Sequence, residues 1–146
     1  IPPLSPGDIA FATVDKSIFP MSIYENIALG NDQITREQAR GTMDSLGFSS
    51  WLDSLPQGMD TRVYDNISGG QKQGIANARA IVSGKAVLIF DEPVSALDGE
   101  KTKRLTKVLE ELTKTHFVLL VTHQALSLHS SLPVNAYTLG NGGGIR

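Results

Sequence analysis

An unbroken apolar run, Val87-Leu88-Ile89-Phe90, ends abruptly in two carboxylates, Asp91 and Glu92. A run of that length and composition is what a strand buried on both faces requires. A second run, Phe117-Val118-Leu119-Leu120-Val121, has the same character and predicts a second buried strand. Between the two, Asp98 is placed to cap a helix that carries Leu105, Val108, Leu109 and Leu112 on one face. Strand, helix, strand in this rhythm predicts a parallel sheet of the α/β class. Residues 134–139 offer a further strand, and the glycines from Gly140 to Gly144 read as an irregular tail.

The chain upstream has a different texture. A short apolar stretch at 9–14, bounded by turn residues, is strand-like. Residues 23–82 read as helical. Thr35 with Gln38 forms a capping-box pattern; Ala39, Met43 and Leu46 follow at helical spacing, and Gly47 stands where a helix end favours positive φ. A segment at 50–55 is stopped by Pro56. A last helix should begin after Ser68 and turn Ile75, Ala78, Ile81 and Val82 inward. The expected division is residues 1–22 as the end of an N-terminal core portion, 23–82 as a helical subdomain, and 83–146 as an α/β core.

Composition excludes several classes. With 40% hydrophobic and 19% charged residues in 146, the chain has enough apolar surface for one core and is not disordered. A net charge of −2 provides no basic footprint for nucleic acid, so no nucleic-acid partner is expected. No cysteine is present, which removes disulfides and thiolate metal sites. No apolar run approaches the roughly 18 residues that cross a bilayer. The sequence begins at Ile1 without Met, as expected of a processed product or a fragment.

Four short stretches carry chemistry. Asp91 and Glu92 follow a buried strand, and open α/β sheets bind ligands at the carboxyl ends of strands. Asp91 suits a hard cation such as Mg2+, held directly or through water, and Glu92 suits polarisation of an attacking water. Ser68-Gly69-Gly70-Gln71 precedes a helix: open backbone amides, a hydroxyl and the helix N-terminus make an anion cradle. Ser95-Ala96-Leu97-Asp98 follows the carboxylates. Thr122-His123 follows the next strand, on the same sheet edge as Glu92. Taken singly, each has an ordinary explanation: a solvated strand end before Pro93, a serine cap with a glycine turn, a surface histidine.

Together, their order is similar to that of the ATP-binding cassette (ABC) family. Ile67-Ser68-Gly69-Gly70-Gln71-Lys72-Gln73 resembles its signature motif, and Ala78-Arg79-Ala80 the usual continuation. Val87-Leu88-Ile89-Phe90-Asp91-Glu92-Pro93 resembles the Walker B strand, Ser95-Ala96-Leu97-Asp98 the D-loop, and His123 the switch histidine. Ser68 and Asp91 stand 23 positions apart (91 − 68) and Glu92 and His123 31 (123 − 92), separations similar to those of the family. The stretch from Ile18 to Gly30 and Leu55-Pro56-Gln57-Gly58-Met59-Asp60-Thr61 resemble exporters in particular. The resemblance runs from about Ile9 to Leu139. It implies a P-loop NTPase-like (RecA-like) parallel core, incomplete at its N-terminus, with the ABC helical subdomain. It also implies ATP and Mg2+ as cofactors, Glu92 and His123 as catalytic groups, and Asp91 as the Mg2+ residue. Ser68, Gly69, Gly70, Gln71 and Asp98 would contact nucleotide. The implied partners are a second nucleotide-binding domain and a transmembrane domain, at the cytoplasmic face of a membrane.

The sequence also departs from the family. No Gly-x-x-x-x-Gly-Lys-Ser/Thr occurs; Gly84-Lys85 is followed by Ala86. The chain alone is therefore expected to bind ATP very weakly and to hydrolyse it negligibly. The Walker B strand, normally flanked by the strand leading into that loop, is expected to expose an apolar edge. A longer polypeptide or an assembly would then supply the missing strand. Val14 stands where the Q-loop glutamine belongs, Gly74 where a basic residue is common, and Asn77 where an aliphatic one is. Gly74 within a helix costs on the order of 1 kcal/mol relative to Ala. The leading expectation is the C-terminal portion of an exporter ATPase domain. A degenerate, non-hydrolytic module lending its signature face to a competent partner, and a soluble DNA-maintenance ATPase, are the alternatives.

Overall fold

A computed structural model describes residues 3–13, 18–124 and 126. Three strands, β1 (Ile9–Ala12), β2 (Val87–Asp91) and β3 (Phe117–Val121), form one sheet in the order β1-β2-β3. Both pairings are parallel; Ala10 and Val118 flank Leu88, and Ala12 and Leu120 flank Phe90. Four helices separate β1 from β2: α1 (Ile23–Ala28), α2 (Arg36–Ser45), α3 (Ser49–Ser54) and α4 (Gly69–Val82). A fifth, α5 (Gly99–Leu112), joins β2 to β3.

The expected exposed edge on the Walker B-like strand is not found. β2 is central and has a hydrogen-bonded neighbour on each side, so among the described residues the unpaired edges belong to β1 and β3. The expectation of two-faced burial holds for β2, where Val87, Leu88 and Phe90 are buried and Ile89 is half-buried, but needs correction for β3. Phe117, Leu119 and Val121 are 66%, 45% and 45% exposed, and Phe11 of β1 is 56% exposed. The strands are added in one direction, and right-handed crossovers in such a sheet put both helical connections on the same face. The core therefore lies on that face, where Leu88 and Phe90 meet Ile75, Ala78, Leu105 and Leu109. The strand expected at 134–139, the glycine tail and Val14 lie outside the described residues.

Local chemistry accounts for the helix boundaries. Ser22, Thr35 and Ser68 each form a full capping box, with Glu25, Gln38 and Gln71 respectively. Gly47 ends the turn after α2 at φ +90°, a conformation that side chains with a Cβ resist. Phe48 follows, buried, and meets Trp51 edge-on with ring centroids 6.1 Å apart.

Asn26 on α1 is fully buried and ties down the chain before it. Its Oδ1 accepts from Phe19 N at 2.8 Å, and its Nδ2 donates to the carbonyls of Phe19 and Ser22 at 2.9 and 3.0 Å. Arg79 Nε, from the far end of α4, donates to the Asn26 carbonyl at 2.6 Å. Burial pulls the Arg79 guanidinium down to about 10, so it remains a cation at neutral pH. Arg79 therefore bonds α4 to α1.

Candidate functional site

The carboxyl ends of β2 and β3 lie side by side, with Asp91 registered against Val121. Chain geometry changes at the next residue. Glu92 has φ +49°, a left-handed backbone that costs a residue with a Cβ about 1–3 kcal/mol unless its surroundings hold it. Its N–H donates to the Val121 carbonyl at 2.8 Å, which continues the β2–β3 pairing by one bond. Its own carbonyl accepts from Gln73 Nε2 at 2.7 Å.

This bend brings the Glu92 carboxylate to the start of the loop after β3. Glu92 Oε1 accepts from the His123 backbone N–H at 2.8 Å and contacts His123 Nδ1. Thr122 Oγ1 makes a long 3.5 Å contact to Oε2. The carboxylate is 25% exposed, whereas the imidazole is 93% exposed. One oxygen is thus held by β3's end and the other is lightly engaged, an arrangement suited to accepting a proton from a water.

Asp91 is half-buried at the end of β2. Among the described residues, no three His, Cys, Asp or Glu side chains converge as a metal cage. A carboxylate at a strand end is the kind of hard oxygen group that Mg2+ can share with phosphate and water.

The α4 N-terminus forms the second half of the site. Ser68 Oγ accepts from Gln71 N at 3.1 Å, and Gln71 Oε1 accepts from Ser68 N at 2.8 Å. Gln71 is thus engaged in the cap. Ser68 and Gly69 are exposed, and first-turn amides at a helix N-terminus are groups that can face an anion. This corner rests on the loop after Glu92: a Cβ on Gly70 would lie 2.8 Å from the Ala96 carbonyl oxygen. Asp98 caps α5, its Oδ1 accepting from Lys101 N at 2.8 Å and its Oδ2 from Lys101 Nζ at 2.9 Å. The backbone N–H and side chain of Lys101 hold the Asp98 carboxyl below its ordinary value.

The structure therefore brings Asp91, Glu92 and His123 to one rim, and Ser68, Gly69, Gly70 and Gln71 to an adjoining corner. Asp98 begins the next helix. Sequence reasoning assigned no role to Gln73 and Asn77. Both are buried, and Asn77 Nδ2 donates to the Pro93 carbonyl at 3.0 Å. Two amides four residues apart on the inward stripe of a helix are the signal that marks them.

Comparison with known proteins shows the family and the fold. The family model for the ABC transporter matches residues 3–95. ABC transporter B family member 21 of Arabidopsis thaliana is 35% identical over 126 residues, which is 84% of this chain and 10% of that protein. The ATP-dependent lipid A-core flippase of Desulfotalea psychrophila is 32% identical over 128 residues, 86% of this chain and 22% of the flippase. Among solved structures, a bacterial Atm1-family ABC exporter with ATP bound superimposes with a TM-score of 0.74 at 27% identity. That match covers 81% of this chain and 21% of the exporter. The chain thus spans between about a tenth and a fifth of the length of these relatives. The parallel sheet and the match to that exporter are those of a P-loop NTPase-like fold.

Proposed function

The chain belongs to the ABC transporter family, and from that premise we propose that it forms the signature and Walker B part of an exporter's ATPase domain. ATP binding and hydrolysis would there drive movement of attached membrane helices. The observation that carries this reading is the Glu92 carboxylate, held at the β2–β3 rim by the backbone and ring of His123. The similarity to a lipid A-core flippase and to an Atm1-family exporter favours transport over DNA maintenance.

In this reading Glu92 accepts the proton of the attacking water, and His123 orients the carboxylate and donates toward the terminal phosphate. Asp91 would hold Mg2+, and the ion would supply charge neutralisation on the phosphates. The exposed Ser68 hydroxyl and the Gly69 and Gly70 amides meet the triphosphate bound by a second cassette. Asp98 keeps the intervening loop in register by capping α5. A Walker A loop in the assembled domain cradles the phosphates, and a transmembrane domain at the cytoplasmic membrane face receives the motion.

The test is orthophosphate release by the full-length protein that carries these residues, assembled with its second cassette. Mg2+-dependent release from ATP, abolished by EDTA, is the expected result. No release above the uncatalysed rate with ATP and Mg2+ would overturn the reading.

A further inference from the structure

Glu92 occupies a backbone conformation foreign to its residue type, and the groups that hold it there come from a different element. Gln73 is fully buried and spends both ends of its amide on the Glu92 turn. Its Nε2 donates to the Glu92 carbonyl at 2.7 Å and lies 3.3 Å from Ser95 Oγ, and its Oε1 accepts from Ala96 N at 2.8 Å. One helical turn later, Asn77 Nδ2 reaches the carbonyl of Pro93 at 3.0 Å. Two side-chain amides of α4 therefore grip two consecutive carbonyls, those of Glu92 and Pro93. Gln73 closes the loop by also binding the amide of Ala96.

We propose that Gln73 and Asn77 are positioning residues that clamp the Glu92–Ala96 turn to α4 and thereby aim the Glu92 carboxylate at its water. The inference rests on Glu92 acting as the base in the functional reading above. It adds that α4, whose first turn faces a second cassette's nucleotide, is rigidly bonded through Gln73 to the base of its own rim. Asn77 adds a grip on the Pro93 carbonyl that an aliphatic side chain cannot supply. Loss of either amide frees a carbonyl that is otherwise held, and Glu92 is no longer fixed at φ +49°. A carboxylate displaced by about 1 Å from its water loses on the order of 100-fold in rate.

The test replaces each amide by an apolar side chain of similar shape, Gln73→Met and Asn77→Leu, in the full-length protein assembled with its second cassette. Orthophosphate release is measured per folded molecule over a range of ATP concentrations, and hydrogen exchange is followed at the Ala96 amide. Gln73→Met is expected to lower kcat at least 10-fold with KM for ATP within twofold, and to speed Ala96 exchange. Asn77→Leu is expected to lower kcat by a smaller factor, about threefold to tenfold, without changing Ala96 exchange. A purely structural role would lower the melting temperature and leave kcat per folded molecule within twofold. That result in Gln73→Met overturns the inference, as does unchanged Ala96 exchange. An inactive wild type overturns the functional reading and this inference together, whereas an active wild type with unaffected variants overturns the inference alone.

Discussion

The ring of Phe48 lies directly over the α-carbon of Gly74: a Cβ built on that glycine would fall 2.4 Å from Phe48 Cε2 and Cζ. Phe48 is itself 2% exposed and enclosed in the core cluster, so the ring has little room to retreat. A glycine that helix propensity counts as a defect is thus required by packing between the α2–α3 turn and α4. Gly74→Ala should destabilise the fold by about 1–3 kcal/mol, despite a propensity gain of about 1 kcal/mol. Urea denaturation measures the difference. Adding Phe48→Leu to Gly74→Ala should recover part of the loss, because the smaller side chain vacates the contact.

Two neighbouring glycines at the α4 N-terminus should respond differently. A Cβ on Gly70 meets the Ala96 carbonyl at 2.8 Å, whereas one on Gly69 meets Ala96 Cβ at an ordinary 3.6 Å. Gly70→Ala must move backbone and should cost about 1–3 kcal/mol. Gly69→Ala should remain within about 0.5 kcal/mol of the parent. Thermal melts of the two variants under one set of conditions give the comparison; equal losses would contradict the packing described.

Acid should weaken the start of α5. The Asp98 carboxyl is held low chiefly by the Lys101 backbone N–H. A carboxyl with a lower pKa in the folded state contributes stability that is fully present above its unfolded value. That contribution is lost as pH falls through the folded value. Asp98→Asn keeps an oxygen acceptor for the cap but does not titrate there. The variant should therefore lose less stability than the parent between about pH 4 and lower values. Melting curves from neutral pH downward test this; parallel losses would contradict it.

Much of this arrangement was legible in the sequence, for reasons that can be named. Capping boxes at Thr35 and Ser68 depend on two residues three apart, so their pattern survives in one dimension. The β2 run and the carboxylates after it were readable because strand ends place ligand groups. What failed was anything set by a neighbour far along the chain. The apolar character of Phe117, Leu119 and Val121 predicted burial, but strand order leaves them on the face away from the helices. The exposed edge expected at β2 belongs to β1 and β3 for the same reason. Gly74 and Asn77 looked like departures until Phe48, 26 positions earlier (74 − 48), and Pro93, 16 later (93 − 77), supplied their partners. At the site, the grouping of Glu92 with His123 followed from sheet logic, but the left-handed turn and its amide clamp did not.

The central claim is that the Glu92 carboxylate, fixed at the rim by His123, accepts the proton of the attacking water. Glu92→Gln preserves shape and hydrogen-bonding capacity while removing that basicity. With Mg2+ and ATP, orthophosphate release by the full-length protein carrying this substitution, assembled with its second cassette, measures the claim directly. The account predicts a fall of at least about 100-fold with ATP still bound; release at the parent rate would contradict it.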